Sequence, residues 1–337
     1  MSHKDKSDMT PEMLKDNAAK PAWEPAFKKR FEGLYLENEP MSKHTSIRIG
    51  GPARFLVNAA SVDDLIDAVK FASQNGIDYF LLGGGSNILV GDYGFHGIVI
   101  KNMCVNYIID DNIISAETGM TLDDLVDVSH HNSLSGLEFA AGIWGTVGGA
   151  VCGNAGAFGG SVSDVFHKAV LLDEDNKVVT ADKEKLKFRY RHSALKDNRE
   201  LALSASFKLV KGDKDEIGAK ISRHREIRRE KHPLDYYSAG SFFKNLKNPR
   251  DAGMNVAAGW YLDQVGARER RIGDAGVFEK HANIFVNYGE ATAADMVKLG
   301  AGLKAEVKEK FSVDLRMEVR PVGDFGEHRE LLETIID

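Results

Sequence analysis

Cysteine is nearly absent from this chain: 337 residues carry two, Cys104 and Cys152. Neither falls in a Cys-x-x-Cys or Cys/His ligand spacing. That argues against a disulfide framework and a structural zinc site, and it fits a reducing compartment. No long basic run appears and the net charge is −6. A nucleic-acid-binding surface is therefore disfavoured, although a local basic pocket stays open. The first twenty residues, MSHKDKSDMTPEMLKDNAAK, lack the apolar core of a signal peptide. They read as a mobile tail, and the expected location is the cytoplasm. Hydrophobic content of 43% and charged content of 28% are ordinary for a globular protein, and the length suffices for two domains.

Charge is also missing from Phe139 to Ser163, inside a stretch, Gly136–Gly160, with nine glycines. Glycine-dense backbone is entropically costly, so something is expected to approach the main chain closely there. Without Cβ atoms, successive N–H groups can point at one anion such as a pyrophosphate. A buried bend between packed strands is the competing reading. A membrane span is a third, opposed by the glycines, by Asn154 and by the lack of a basic flank.

Periodicity organises the rest. Ser61 with Asp64 is a capping-box pattern followed by apolar residues at helical spacing, and Thr121 with Asp124 and Thr292 with Asp295 read as caps of two further helices. Short strands are expected at Phe55–Asn58, Tyr79–Leu82, Ile98–Lys101, Tyr107–Ile109, Ile113–Ala116, Lys168–Leu172, Lys177–Thr180 and Leu201–Leu209. The strand Tyr79–Leu82 runs into a second glycine loop, Gly83-Gly84-Gly85-Ser86-Asn87, whose side chains add donors to a turn able to take positive φ. It is neither GxGxxG nor the opening of a helix, so a Rossmann or P-loop reading is weak. A plain inter-strand loop is the alternative. A polar helix is expected over Ile217–Lys231. Val313–Arg320 reads as a period-two strand ended by Pro321.

Reactive side chains cluster in three places. Arg189, Tyr190 and Arg191, in a strand, would put both arginines on one face, an anion fork or a charged edge. Ser241 follows Gly240 without a GxSxG elbow, which disfavours a hydrolase nucleophile and leaves a proton donor in a dry pocket as a possibility. Glu318 and Arg320 share the polar face of the last strand, solvated or lining a cleft.

Seven segments, LLGGGSN, GLEFAAGIWGTVGGAVCGNAGAFG, FRYRHS, AGSFFKN, AGWYLDQ, EKHANIFVN and LRMEVRPVG, occur in order between His44 and Gly323. Together they resemble the UDP-N-acetylenolpyruvoylglucosamine reductases, flavoenzymes of peptidoglycan precursor synthesis and hence of cell-wall biogenesis, cell shape and division. The resemblance implies an α+β fold: an FAD-binding domain of the vanillyl-alcohol-oxidase (PCMH) type and a smaller C-terminal α/β substrate domain. The implied organisation is a mobile tail over 1–25, an FAD-binding domain over 26–212 split near 104, a substrate domain over 213–325 and a C-terminal tail over 326–337. Noncovalent FAD is implied at Gly83, Gly84, Gly85, Ser86, Asn87, Gly142, Gly145, Gly148, Asn154 and Gly156, with NADPH as co-substrate. Arg191, Ser241 and Glu318 map to the family's catalytic residues. Tyr190, Lys231, Asn245 and Asn283 map around the UDP part of the enolpyruvyl substrate. No metal, nucleic acid or membrane is implied, and a monomer is expected.

The chain departs from the family in having Asn-Pro late, at Asn248-Pro249, and an unexplained Asp274. Only fifty residues separate Arg191 from Ser241, which places it in the shorter branch lacking a tyrosine lid loop. Two other readings stay open: an oxidase of the same fold superfamily, in which Cys152 or a histidine could hold flavin, and a UDP-sugar binding module without turnover. Cys152 itself reads as a small apolar filler.

Overall fold

The computed structural model describes residues 21–336 other than Leu234, Pro249 and Arg250. The expected tail over 1–20 lies outside the described residues, and helix Glu24–Arg30 already occupies the end of the 1–25 segment.

Three packed units follow one another. The first is a four-stranded sheet ordered Tyr35–Pro40, Pro52–Ala59, Phe95–Asn102, Tyr79–Leu82. Phe95–Asn102 runs parallel to both of its neighbours, while Tyr35–Pro40 is an antiparallel edge. The parallel return needs a crossover, and helix Val62–Gln74 supplies it. Ser61 and Asp64 close its capping box, and Leu65, Ala68, Val69 and Ala72 form its buried face. Phe27, Phe55 and Phe71 fill the core beneath.

The second unit is a five-stranded antiparallel sheet ordered Val178–Ala181, Phe166–Leu172, Leu201–Lys208, Ile113–Glu117, Tyr107–Asp110. Helices Leu122–His131 and Val147–Gly153 contribute to its core. So does helix Lys214–Lys231. Its two buried apolar residues, Ile217 and Ile221, lie in that core, and Arg225 pairs with Asp123 and Asp127. The helix expected to open the substrate domain at 213 therefore packs with the unit before it.

In the third unit, Tyr237–Ser241, His281–Asn287, Ala275–Phe278 and Arg271–Ile272 form an antiparallel sheet. Helices Ala258–Gln264, Ala293–Phe311 and Arg329–Ile336 pack with it. The last of these overturns the expected C-terminal tail over 326–337: Leu332 and Ile335 are buried in this core. Amphipathic spacing in a short terminal segment was the available signal.

The final strand also departs from expectation. Burial does alternate, with Leu315, Met317 and Val319 inside. Yet the ladder begins only at Arg320 and runs through Pro321 to Val322, parallel to Ile88–Val90. Before it, Met317 makes a single bridge to Phe243. Pro321 is tolerated because a parallel ladder uses alternate residues: Arg320 N donates to Asn87 O, and Val322 O accepts from Gly91 N.

The first and third units are fastened together. Ile47, Ile49 and Leu89 enter the third core, and Asp92 accepts the free amides of Ala293 and Ala294 at a helix start. Ser46 Oγ donates to Ser238 O at 2.6 Å. Among the described residues no helix is long and apolar enough to cross a membrane.

Candidate active site

A cavity of about 870 Å³ opens where the three units meet. That is ample for a dinucleotide-sized ligand. Its floor is main chain. The loop Gly83–Asn87, at the end of strand Tyr79–Leu82, crosses the loop Gly142–Thr146 closely: a Cβ on Gly84 would stand 3.0 Å from Gly145 Cα. Gly85 has φ 63°, and a Cβ there would land on the His44 carbonyl oxygen. Ser86 Oγ donates to Trp144 O at 2.8 Å, tying the loops together. Glycine is required here by contact, not merely by flexibility.

Gly83, Gly84, Gly85, Ser86, Asn87, Gly142, Gly145, Gly148 and Gly156 all line the cavity. The second loop is not loop throughout: Thr146 caps a short helix, Val147–Gly153. Asn154 is the exception among the expected cofactor residues. It ends that helix in the left-handed conformation, and its amide donates to Arg189 O while accepting from Ser163 N, both at 3.0 Å. It does not line the cavity, and these two bonds make it a structural cap in this fold.

Helix Lys214–Lys231 and the residue after it present Arg225, Arg228, Arg229 and His232 to the same space. Arg228 Nε is buried with no partner. A buried donor with nothing to bond is costly and suits an incoming anion. Lys231, expected near the substrate, is exposed and does not line the cavity. The sequence signal lay in the helix; helical phase selected the arginines instead. Glycine backbone on one side and a guanidinium with an unbonded, buried Nε on the other fit the diphosphate of FAD.

The chemistry-bearing side chains gather at another wall. Arg191 does not lie in a strand. Arg189 and His192 exchange backbone hydrogen bonds across a tight turn, with Arg191 at φ 55°. The arginine fork of the sequence reading therefore does not form. Arg189 pairs with Asp197, whereas Arg191 Nε donates to Glu318 Oε1 at 2.6 Å and Nη1 donates to Gly156 O at 3.1 Å. A left-handed non-glycine residue is strained and persists where surrounding contacts hold it. Lys196 does so, donating to Arg191 O at 2.8 Å.

Glu318 is not solvated, as its strand-face position allowed, but lines the cavity. Burial pushes its carboxyl above the ordinary range, although Arg191 pulls it back down. Ser241 lies on the same lining after Gly240, which has φ 78°.

The expected substrate contacts divide. Tyr190 is half-exposed, with the Arg191 guanidinium 5.2 Å from its ring centre, and Asn245 hydrogen-bonds to it. Asn245 Oδ1 also accepts from Ala258 N at the start of helix Ala258–Gln264. Neither Tyr190 nor Asn245 lines the cavity. Asn283 is buried, its side chain bonds both the N–H and the C=O of Phe243, and it does not line the cavity. Asp274 fixes a turn by accepting from Glu290 N. Cys152 lines the cavity, and burial raises its thiol pKa, as befits an unreactive filler.

Comparison with known proteins accords with this geometry. Residues 53–182 match the family model for an FAD binding domain. Residues 232–322 match the model for the C-terminal domain of UDP-N-acetylenolpyruvoylglucosamine reductase, which starts just after the helix that packs with the second unit. The reductase of that name from Caldanaerobacter subterraneus subsp. tengcongensis is 40% identical over 294 residues, 87% of this chain and 95% of its own length. One from Clostridium botulinum is 39% identical over 290 residues, 86% of this chain and 92% of its own. The crystal structure of the Thermus caldophilus enzyme superposes with a TM-score of 0.71 at 29% identity, covering 85% of this chain and 97% of that one. The architecture is α+β, with an FAD-binding part and a smaller domain after it. The chain is an FAD-dependent oxidoreductase and belongs to the UDP-N-acetylenolpyruvoylglucosamine reductase family.

Proposed function

We propose that this enzyme reduces UDP-N-acetylenolpyruvoylglucosamine to UDP-N-acetylmuramate with NADPH as the electron source. The observation that carries the reading is the Arg191–Glu318 pair, facing the cavity that also holds Ser241 and both glycine loops. Bound FAD supplies the hydride-transfer chemistry between NADPH and the enol ether.

Arrival of hydride at the substrate's methylene carbon drives electron density toward the conjugated carboxylate. Arg191 places a fixed positive charge against the enolate that develops there. Burial raises the Glu318 carboxyl pKa, and in its protonated form Glu318 donates a hydrogen bond to the same oxygens. Ser241 then gives its hydroxyl proton to the adjacent carbon, and its oxygen recovers a proton from solvent. The fixed side from which Ser241 approaches sets the configuration of the new centre. Arg228, with Gly84 and Gly145 on the same lining, would hold a phosphate of the cofactor. Tyr190 and Asn245 stand outside this lining and border the path taken by the UDP part.

Separate measurement of the two half-reactions tests the assignment. Ser241→Ala is expected to reduce its flavin with NADPH at close to the parent rate. Reoxidation by the enolpyruvyl substrate should slow by about 10²–10⁴-fold. Equal losses in both halves would remove Ser241 from the proton-transfer step.

A further inference from the structure

Ser241 sits in a weakly specified place. Strand Tyr237–Ser241 pairs with His281–Asn287, but the register shifts between Ser238 and Ser241, with Gly240 at φ 78° in the gap. A bulge of this kind leaves ladder bonds unmade, and a slip of one residue would turn Ser241 to the opposite face. Something beyond the ladder must hold the register.

Asn283 is positioned to do so. It is 2% exposed. Its Oδ1 accepts from Phe243 N at 2.9 Å, and its Nδ2 donates to Phe243 O at 2.8 Å. The side-chain amide thus makes the donor–acceptor pair a strand residue would make. Its own carbonyl accepts from Phe242 N at 2.7 Å. On the other side of the same two phenylalanines, Glu318 N donates to Phe242 O at 2.8 Å and Lys244 N donates to Arg316 O at 2.8 Å. Phe242 and Phe243 are held between Asn283 and the segment that carries Glu318.

We propose that Asn283 is a positioning residue for proton delivery: its amide locks Gly240–Phe243 in register, so that the Ser241 hydroxyl and the Glu318 carboxyl face one cavity. This rests on the proton-donor reading of Ser241 given above. The molecule contains its own control. Asn287, four residues on in the same strand, is equally buried at 3%. Its amide holds Ile47 O, Gly289 N and Ala291 N instead, away from Ser241.

The test is flavin kinetics on three holoenzyme variants. Asn283→Ala should be reduced by NADPH near the parent rate but reoxidised by the enolpyruvyl substrate about a hundredfold more slowly, the loss typical of a reacting group misplaced by an ångström. Asn283→Asp keeps the acceptor for Phe243 N and loses the donor to Phe243 O. It should show the same split with a smaller loss, and it carries the test should Asn283→Ala fail to fold. Both should acquire a larger solvent deuterium isotope effect on reoxidation, because protonation becomes the slow event. Asn287→Ala should lower thermal stability without any such split. Equal slowing of both half-reactions by the Asn283 variants, or the same split from Asn287→Ala, would overturn the proposal. Ser241→Ala measured alongside separates the two failures. Normal reoxidation in Ser241→Ala defeats the donor role and this inference with it. Slow reoxidation there, with normal reoxidation in the Asn283 variants, defeats the inference alone.

Discussion

The two walls of the cavity are made of different material. One is bare main chain, from the loops Gly83–Asn87 and Gly142–Thr146, whose segments are glycine-rich in the sequence itself. The other is three side chains, Arg191, Ser241 and Glu318, the first and the last 127 positions apart. Backbone N–H groups grip an anion whatever the neighbouring side chains are, so that wall fails only when the chain path changes. The side-chain wall fails by deletion of a single functional group. On the function proposed above, one wall binds and the other reacts.

The difference can be attacked from the reactive side first, where the largest effect is expected. Arg191→Ala should keep its flavin and its reduction by NADPH, while reoxidation by the enolpyruvyl substrate slows by about 10²–10³-fold, the loss seen when one charge-stabilising donor is removed. Flavin content and half-reaction rates read this out. Release of flavin from that variant would move Arg191 to the binding wall and erase the contrast.

The binding wall should respond in the opposite sense. Gly85→Ala asks a residue with a side chain to take φ 63° and to stand on the His44 carbonyl. A cost of about 1–3 kcal/mol in stability is expected, with flavin occupancy falling in step. The reoxidation rate per bound flavin should stay near the parent value. Thermal unfolding and flavin absorbance decide it, and a fall in rate at full occupancy would contradict the division.

The smallest effect belongs to the frame that holds the walls together. Asp92, from the first unit, accepts the Ala293 and Ala294 amides at 2.7 and 2.9 Å, at the start of a helix of the third. Asp92→Ala should cost about 1 kcal/mol, as loss of a helix cap does. It should lower the melting temperature and leave both half-reactions alone. A kinetic change would show that the two units move relative to each other during turnover.

The fold was legible wherever a local pattern is enough. Ser61, Thr121 and Thr292 cap the helices their spacing announces. Each short strand inferred from apolar runs up to Leu209 is present within a few residues. Helix Lys214–Lys231 was visible as a helix but not as a member of the second unit. Only Ile217 and Ile221 among its residues are buried, too few to signal which core receives them. The same limit hid Arg228, which resembles its charged neighbours until tertiary packing leaves its Nε without a partner.

The candidate site was legible by composition and illegible by role at several positions. Asn154 and Asn283 have a ligand's chemistry, yet each hydrogen-bonds backbone groups brought from elsewhere, Arg189 and Ser163 in one case and Phe243 in the other, and neither lines the cavity. Arg189 and Arg191 look like a pair, yet the turn between them sends one to Asp197 and the other to Glu318.

Sequence alone determined the three capped helix starts at Ser61, Thr121 and Thr292, the strands up to Leu209, the two glycine-rich segments and the residue types available for chemistry. Those follow from side-chain periodicity, capping and backbone freedom, which act over a few residues. Tertiary structure decided that Glu318 meets Arg191, that Asn283 holds Phe243, and that the last helix is core rather than tail. The first two depend on which distant groups are brought within hydrogen-bond reach and cut off from water, which no local spacing encodes; the third depends on a core that receives the amphipathic face of Arg329–Ile336.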